Sequence, residues 1–233
     1  MKRAFTLLEL VFIVIVVGIL AAIILPRVKR NSLLEAALQV QSDIRYTQHL
    51  AMIDDRYNIN DIDSTGQVKW YKTRWQILFS QNNGGSAITN GGDPKVAYTI
   101  FSDHIGNSTG NPNKDEIAID PNDRSRIMTG GYDTSNALRY WHAGFLGLKR
   151  MNLEVKYSIK QISFSSSCSI GGSTRLSFDY LGRPIKGNLR FDTAPYMNGD
   201  LIASDCNITL TDVDANSIVI TVKAETGYVE IIF

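Results

Sequence analysis

An apolar run near the start of the chain constrains its folding most. From Phe5 to Leu25 only Thr6, Glu9 and Gly18 interrupt a series of Leu, Ile, Val, Ala and Phe. Met1-Lys2-Arg3-Ala4 precedes it as a short basic leader. As a helix, the run would be roughly 30 Å long, the thickness of one bilayer core. A helix in lipid satisfies its own backbone hydrogen bonds. A secretory signal peptide has a shorter apolar stretch closed by an A-x-A-like site, and none closes this run. A plain membrane anchor explains the length but not Glu9. A carboxylate inside such a helix costs about 3 kcal/mol or more and marks function by default. A cut before Phe5 would create a new amine to answer that charge. Lys2 and Arg3 favour a cytoplasmic amino terminus, while Arg27, Lys29 and Arg30 nearly cancel that bias.

Pro26 removes a backbone donor and predicts a kink or local loosening. Beyond it, Leu33, Ala37, Val40, Ile44, Thr47 and Ala51 recur at helical spacing, with Arg30, Glu35, Gln41, Asp43, Arg45 and Gln48 on the other faces. This is an amphipathic helix whose stripe needs a cover. Its signals fade near Asp54-Asp55. Tyr46 and His49 read as helix-surface or packing residues.

Ala4-Phe5-Thr6-Leu7-Leu8-Glu9, followed by the apolar run with Gly18 and Pro26, resembles the class III signal of type IV prepilins. Gly usually precedes the cut, and Ala4 stands there instead. The resemblance implies cleavage between Ala4 and Phe5 by a prepilin peptidase and N-methylation of Phe5. It also implies pairing of Glu9 with the amine of a neighbouring subunit, and a head in the periplasm. The partners implied are other pilins or pseudopilins, the peptidase and an inner-membrane assembly platform. The expected organisation is a leader at 1–4, a transmembrane and assembly helix at 5–25, its amphipathic continuation at 26–55 and a β-rich periplasmic head at 56–233.

The head reads as strands with a period of two. Trp75, Ile77 and Phe79 share one face, as do Leu176, Phe178 and Tyr180; Ile218, Ile220 and Val222; and Val229, Ile231 and Phe233. Weaker strands are expected over 96–102, 116–119, 159–165, 188–192 and 207–211. Glu225-Thr226-Gly227 predicts a tight hairpin, and Ser135 to Leu148 a short helix. The fold class expected is α+β: a long N-terminal helix, half transmembrane and half amphipathic, packed against one antiparallel sheet. Phe178-Asp179-Tyr180-Leu181-Gly182-Arg183-Pro184, then the terminal strands with Thr226-Gly227-Tyr228-Val229, resemble the ending of GspH/FimT-type minor pseudopilins. That resemblance implies a structural subunit of a type II secretion pseudopilus. A minor pilin of a type IV pilus or DNA-uptake system is the alternative, and a membrane-anchored periplasmic enzyme is a rival of another class.

In an oxidising periplasm Cys168 and Cys206 are expected to bond, against the alternative of two buried thiols. Net charge is +1 and no Lys/Arg cluster gives a nucleic-acid footprint. Gly106-Asn107-Ser108-Thr109-Gly110 matches G-x-S-x-G, but Asn111-Pro112-Asn113 follows where a hydrolase elbow needs a helix. His104 and His142 do not complete a triad, and no catalytic residue is expected. Asp212-Val213-Asp214 lacks the Gly and Glu of a calcium loop and reads as a turn. The Asn/Asp-rich stretch 103–124 is a candidate for calcium; otherwise no cofactor or metal is expected. Asn107 and Asn207 head glycosylation sequons, the second with Asp205 two residues earlier.

Overall fold

The computed structural model describes residues 7–63, 65–80, 96–104, 109–132, 136–197 and 199–232, with the backbone but not the side chains of 21–31. Helix α1 runs Leu7–Ile53. In its second half Leu33, Ala36, Ala37, Val40, Ile44, Thr47 and Ala51 are buried. Their spacing of three and four places them on one face. Trp75 closes the end of the helix by donating from Nε1 to Asp54 Oδ2 at 2.9 Å.

The strands are β1 Trp75–Ser80, β2 Ala97–Ser102, β3 Ile159–Phe164, β4 Arg175–Phe178, β5 Pro184–Lys186, β6 Cys206–Asp212, β7 Ser217–Val222 and β8 Val229–Ile232. They form two antiparallel sheets of four, ordered β2-β1-β4-β5 and β3-β6-β7-β8. Apolar residues face each other across the ladders, as in Ile77↔Ile100, Ile77↔Leu176 and Ile208↔Ile220. Helix α1 lies against β1 and β4 of the first sheet and β6, β7 and β8 of the second. A short helix, α2, Leu153–Tyr157, packs beside it.

This corrects the expected fold, a long N-terminal helix with a transmembrane half packed on a single sheet, on both counts. Among the described residues no helix is long and apolar enough to cross a membrane. The head is two sheets, and α1 packs against both.

Smaller differences have local causes. The segment 188–192 is a 3-10 turn, Leu189–Phe191, because the Asn188 side chain accepts from Arg190 N at 3.1 Å and starts a turn. At 116–119 only isolated bridges form, Phe101↔Ile117 and Ile119↔Ile127. The segment 136–148 is turns, and the short helix comes later as α2. Strand β5 escaped the period-two signal because it has three residues and begins with Pro184.

Candidate assembly interface

The two halves of α1 have opposite surroundings. Leu33 to Ala51 presents its stripe to the sheets and is covered by them. From Leu7 to Leu20 every described side chain is exposed, with Leu7 at 81% and Phe12 at 69%. Glu9 lies within this uncovered apolar stretch. One helix thus carries a stretch matched to its own head and a second stretch that no described part of the head covers.

Polar side chains fix how the covered half sits. Asp43 is buried, and its Oδ2 accepts from Tyr98 OH at 2.7 Å and Gln39 Nε2 at 2.9 Å. Burial raises its pKa, with the two donors acting against that rise. Burial and the Asp43 charge together push the Tyr98 hydroxyl well above its usual range. Gln41 Nε2 and Arg45 Nη2 both donate to the Val229 carbonyl, at the start of β8.

Gln48 makes the most connected joint. Its Nε2 donates to Gly182 O at 2.8 Å and to Thr226 O at 2.9 Å. Gly182 belongs to the turn between β4 and β5, and Thr226 to the hairpin between β7 and β8. One helix residue therefore ties the F-D-x-x-G-R turn of the first sheet to the T-G-x-V hairpin of the second. Gly182 and Gly227 have φ of +79° and +65°. A Cβ on Gly227 would lie 2.5 Å from Gly182 O. Within the turn, Asp179 Oδ1 accepts from Leu181 N and Arg183 N, and its Oδ2 accepts from Arg183 Nε at 2.8 Å and Tyr196 OH at 3.2 Å. The sequence motif is thus a side-chain-locked turn that presents one carbonyl to α1.

Other expected site residues fall as follows. Ala4 and Phe5 lie outside the described residues. The α1 backbone remains helical through Pro26, whose side chain is outside the description. Cys168 and Cys206 are joined in a disulfide and fully buried. The bond ties the loop after β3 to the first residue of β6. Asn207 is exposed beside it, with Oδ1 accepting from Thr221 Oγ1 at 2.8 Å. Gly106, Asn107 and Ser108 lie outside the described residues, and His104 Nδ1 contacts Ser102 O. Asp212 holds the β6–β7 turn by accepting from the backbone N–H groups of Asp214 and Asn216. Asp120 faces Arg150 at 3.2 Å, and Glu116 accepts from Asn113. Among the described residues no group of three His, Cys, Asp or Glu could hold a metal ion.

Sequence reading did not single out Gln48, Tyr98 or the buried role of Asp43. Polar residues on an amphipathic helix read as solvent-facing until a second layer covers them. No protein-family model, curated protein or solved structure matches the chain.

Proposed function

We propose that the chain is a minor pseudopilin-type subunit of a type II secretion machine. In this reading it is processed before Phe5 and assembled into a filament through its N-terminal segment. The observation that carries the reading is the division of α1. Its second half is buried by the head, while Leu7 to Leu20 exposes a continuous apolar surface. A surface of that kind calls for a partner, and equivalent helices of other subunits offer the same apolar chemistry. Glu9 within it would set the axial register by pairing with the amine of a neighbour. The disulfide supports a head in an oxidising compartment, the periplasm, with the subunit held at the bacterial inner membrane before assembly.

The work of such a subunit is docking. Asp43, Gln48 and Asp179 are used for internal ties. The test is the intact mass of the protein from cells with and without a prepilin peptidase. Loss of the four leader residues and gain of one methyl group, only when the peptidase is present, is the expected result. A native protein that still begins at Met1 in the presence of the peptidase would overturn the reading.

A further inference from the structure

We propose that the head carries a glycan-binding cleft, formed by 120–126 and 139–150, which takes an acidic oligosaccharide with one sugar ring stacked on Trp141. This inference stands apart from filament assembly, since it uses a surface remote in sequence from α1 and from the two sheet-joining turns. The cleft encloses about 690 Å³. Small-ligand sites fall at about 300–1,000 Å³ and combine an aromatic surface with a few placed polar groups.

The platform comes first. Trp141 is 62% exposed. It is anchored from beneath by a T-shaped contact with the buried Tyr140, at 4.7 Å between ring centroids and 85° between planes. Tyr140 packs in turn on Phe145 at 5.5 Å. A large ring held this way keeps its apolar area in water, and among the described residues nothing covers its outer face. The apolar face of a pyranose ring fits that surface.

The polar rim has both signs. Arg126 is exposed and steadied by its Nη1 donating to Phe145 O at 2.8 Å. Lys149 is exposed on the same cleft. Arg150 donates to both Asp120 oxygens, at 3.2 and 3.4 Å, from a position more open than that of the carboxylate. Asp123 is exposed, and the Ser125 hydroxyl and amide hold its carboxyl below the usual range, so it is ionised. His142 Nδ1 accepts from Gly144 N at 2.9 Å, so the neutral ring carries its proton on Nε2 as a donor.

Donors beside carboxylates match hydroxyl groups, each of which both donates and accepts. A nucleic-acid strand offers few free hydroxyl groups to such a pairing. The mixture therefore favours a glycan over a nucleic acid. Arg126 and Lys149 supply the charge for a sugar carboxylate, the guanidinium in a planar fork.

The test is titration of the full chain with hexagalacturonate, cellohexaose and a dT12 oligonucleotide, followed by tryptophan fluorescence. Hexagalacturonate is expected to give a saturable change. Trp141→Ala should weaken it by about tenfold, Trp141→Phe should retain most of the affinity, and Lys149→Gln should weaken the acidic sugar selectively. Circular dichroism checks that each variant is folded, and Trp141 is exposed enough for that to hold. Binding of neither sugar, tighter binding of dT12, equal binding of cellohexaose, or indifference to Trp141→Ala would each overturn the proposal.

Discussion

Gln48 on α1 donates to the Gly182 carbonyl at 2.8 Å, and the same nitrogen reaches Thr226 O at 2.9 Å. The two sheets are hydrogen-bonded within themselves, and this side chain is a direct tie between a turn of one, a hairpin of the other and the helix. Gln48→Ala is expected to cost about 1–3 kcal/mol, because the Gly182 carbonyl loses its donor in a partly buried place and the Thr226 carbonyl loses one at the surface. For a chain of this size that is a fall in Tm of roughly 3–10 °C. Gly182→Ala should cost a similar amount, from its positive φ and a Cβ placed 2.9 Å from Gln48 Nε2. The two should be non-additive in a double-mutant cycle, as neighbours sharing one contact are. Additive losses in thermal melts would show that the joint is not a joint.

The disulfide offers a chemical check. Cys168 and Cys206 are 38 positions apart, and no cysteine is free. Closing such a loop contributes about 4 kcal/mol on the chain-entropy model. Ellman titration of the denatured, unreduced protein should find no thiol, and reduction should release both. The paired Cys168→Ser and Cys206→Ser variant should melt well below the oxidised protein and should match the reduced wild type. Equal melting temperatures of the oxidised and reduced protein would contradict a stabilising role.

A pH dependence follows from Asp192. Burial, then the charge of Asp200, pushes its carboxyl up to about 6 from 3.8, with Lys72 and Arg74 acting the other way. The native state therefore binds this proton more tightly than the unfolded chain does. Between about 3.8 and 6 the folded protein holds the extra proton, so this group's contribution to stability falls as pH rises. Above about 6 the cost is complete. Asp192→Asn should raise Tm relative to wild type near neutral pH, and the gain should fade as pH drops through that window. A gain independent of pH would locate the effect elsewhere.

Periodicity in the sequence was informative where a single buried face decides the pattern. The stripe from Leu33 to Ala51, the strand cores at Ile77, Leu176 and Ile220, and the turn at Gly227 all follow from local rules. It failed where a second layer covers the other face. Gln76 and Arg175 alternate with apolar neighbours and so read as solvent-facing, yet they are 1% and 4% exposed. Arg175 donates to Gln76 Oε1 at 2.8 Å, to Asn188 Oδ1 at 3.2 Å and to the Gly110 carbonyl. Burial lowers its pKa to about 10. The loops that cover it come from 109–116 and 188–192, far away in sequence and without apolar periodicity. The apolar surface of α1 was legible from composition alone, since its side chains need no partner within the chain to be recognised.

Glu9 gives the most direct test of the assembly reading. Every described side chain from Leu7 to Leu20 is exposed, outside the buried core of the head. Glu9→Val should therefore leave the melting temperature of the head unchanged, and peptidase cleavage before Phe5 should proceed. A carboxylate that pairs with a neighbour's amine in an apolar setting is worth several kcal/mol, because removing one partner leaves the other charge uncompensated. Incorporation into filaments, read by crosslinking to other subunits, should then drop by more than about tenfold. A lower melting temperature would mean that Glu9 serves the fold. Unchanged cleavage and unchanged incorporation together would remove Glu9 from the register and leave apolar contact alone to position the subunit.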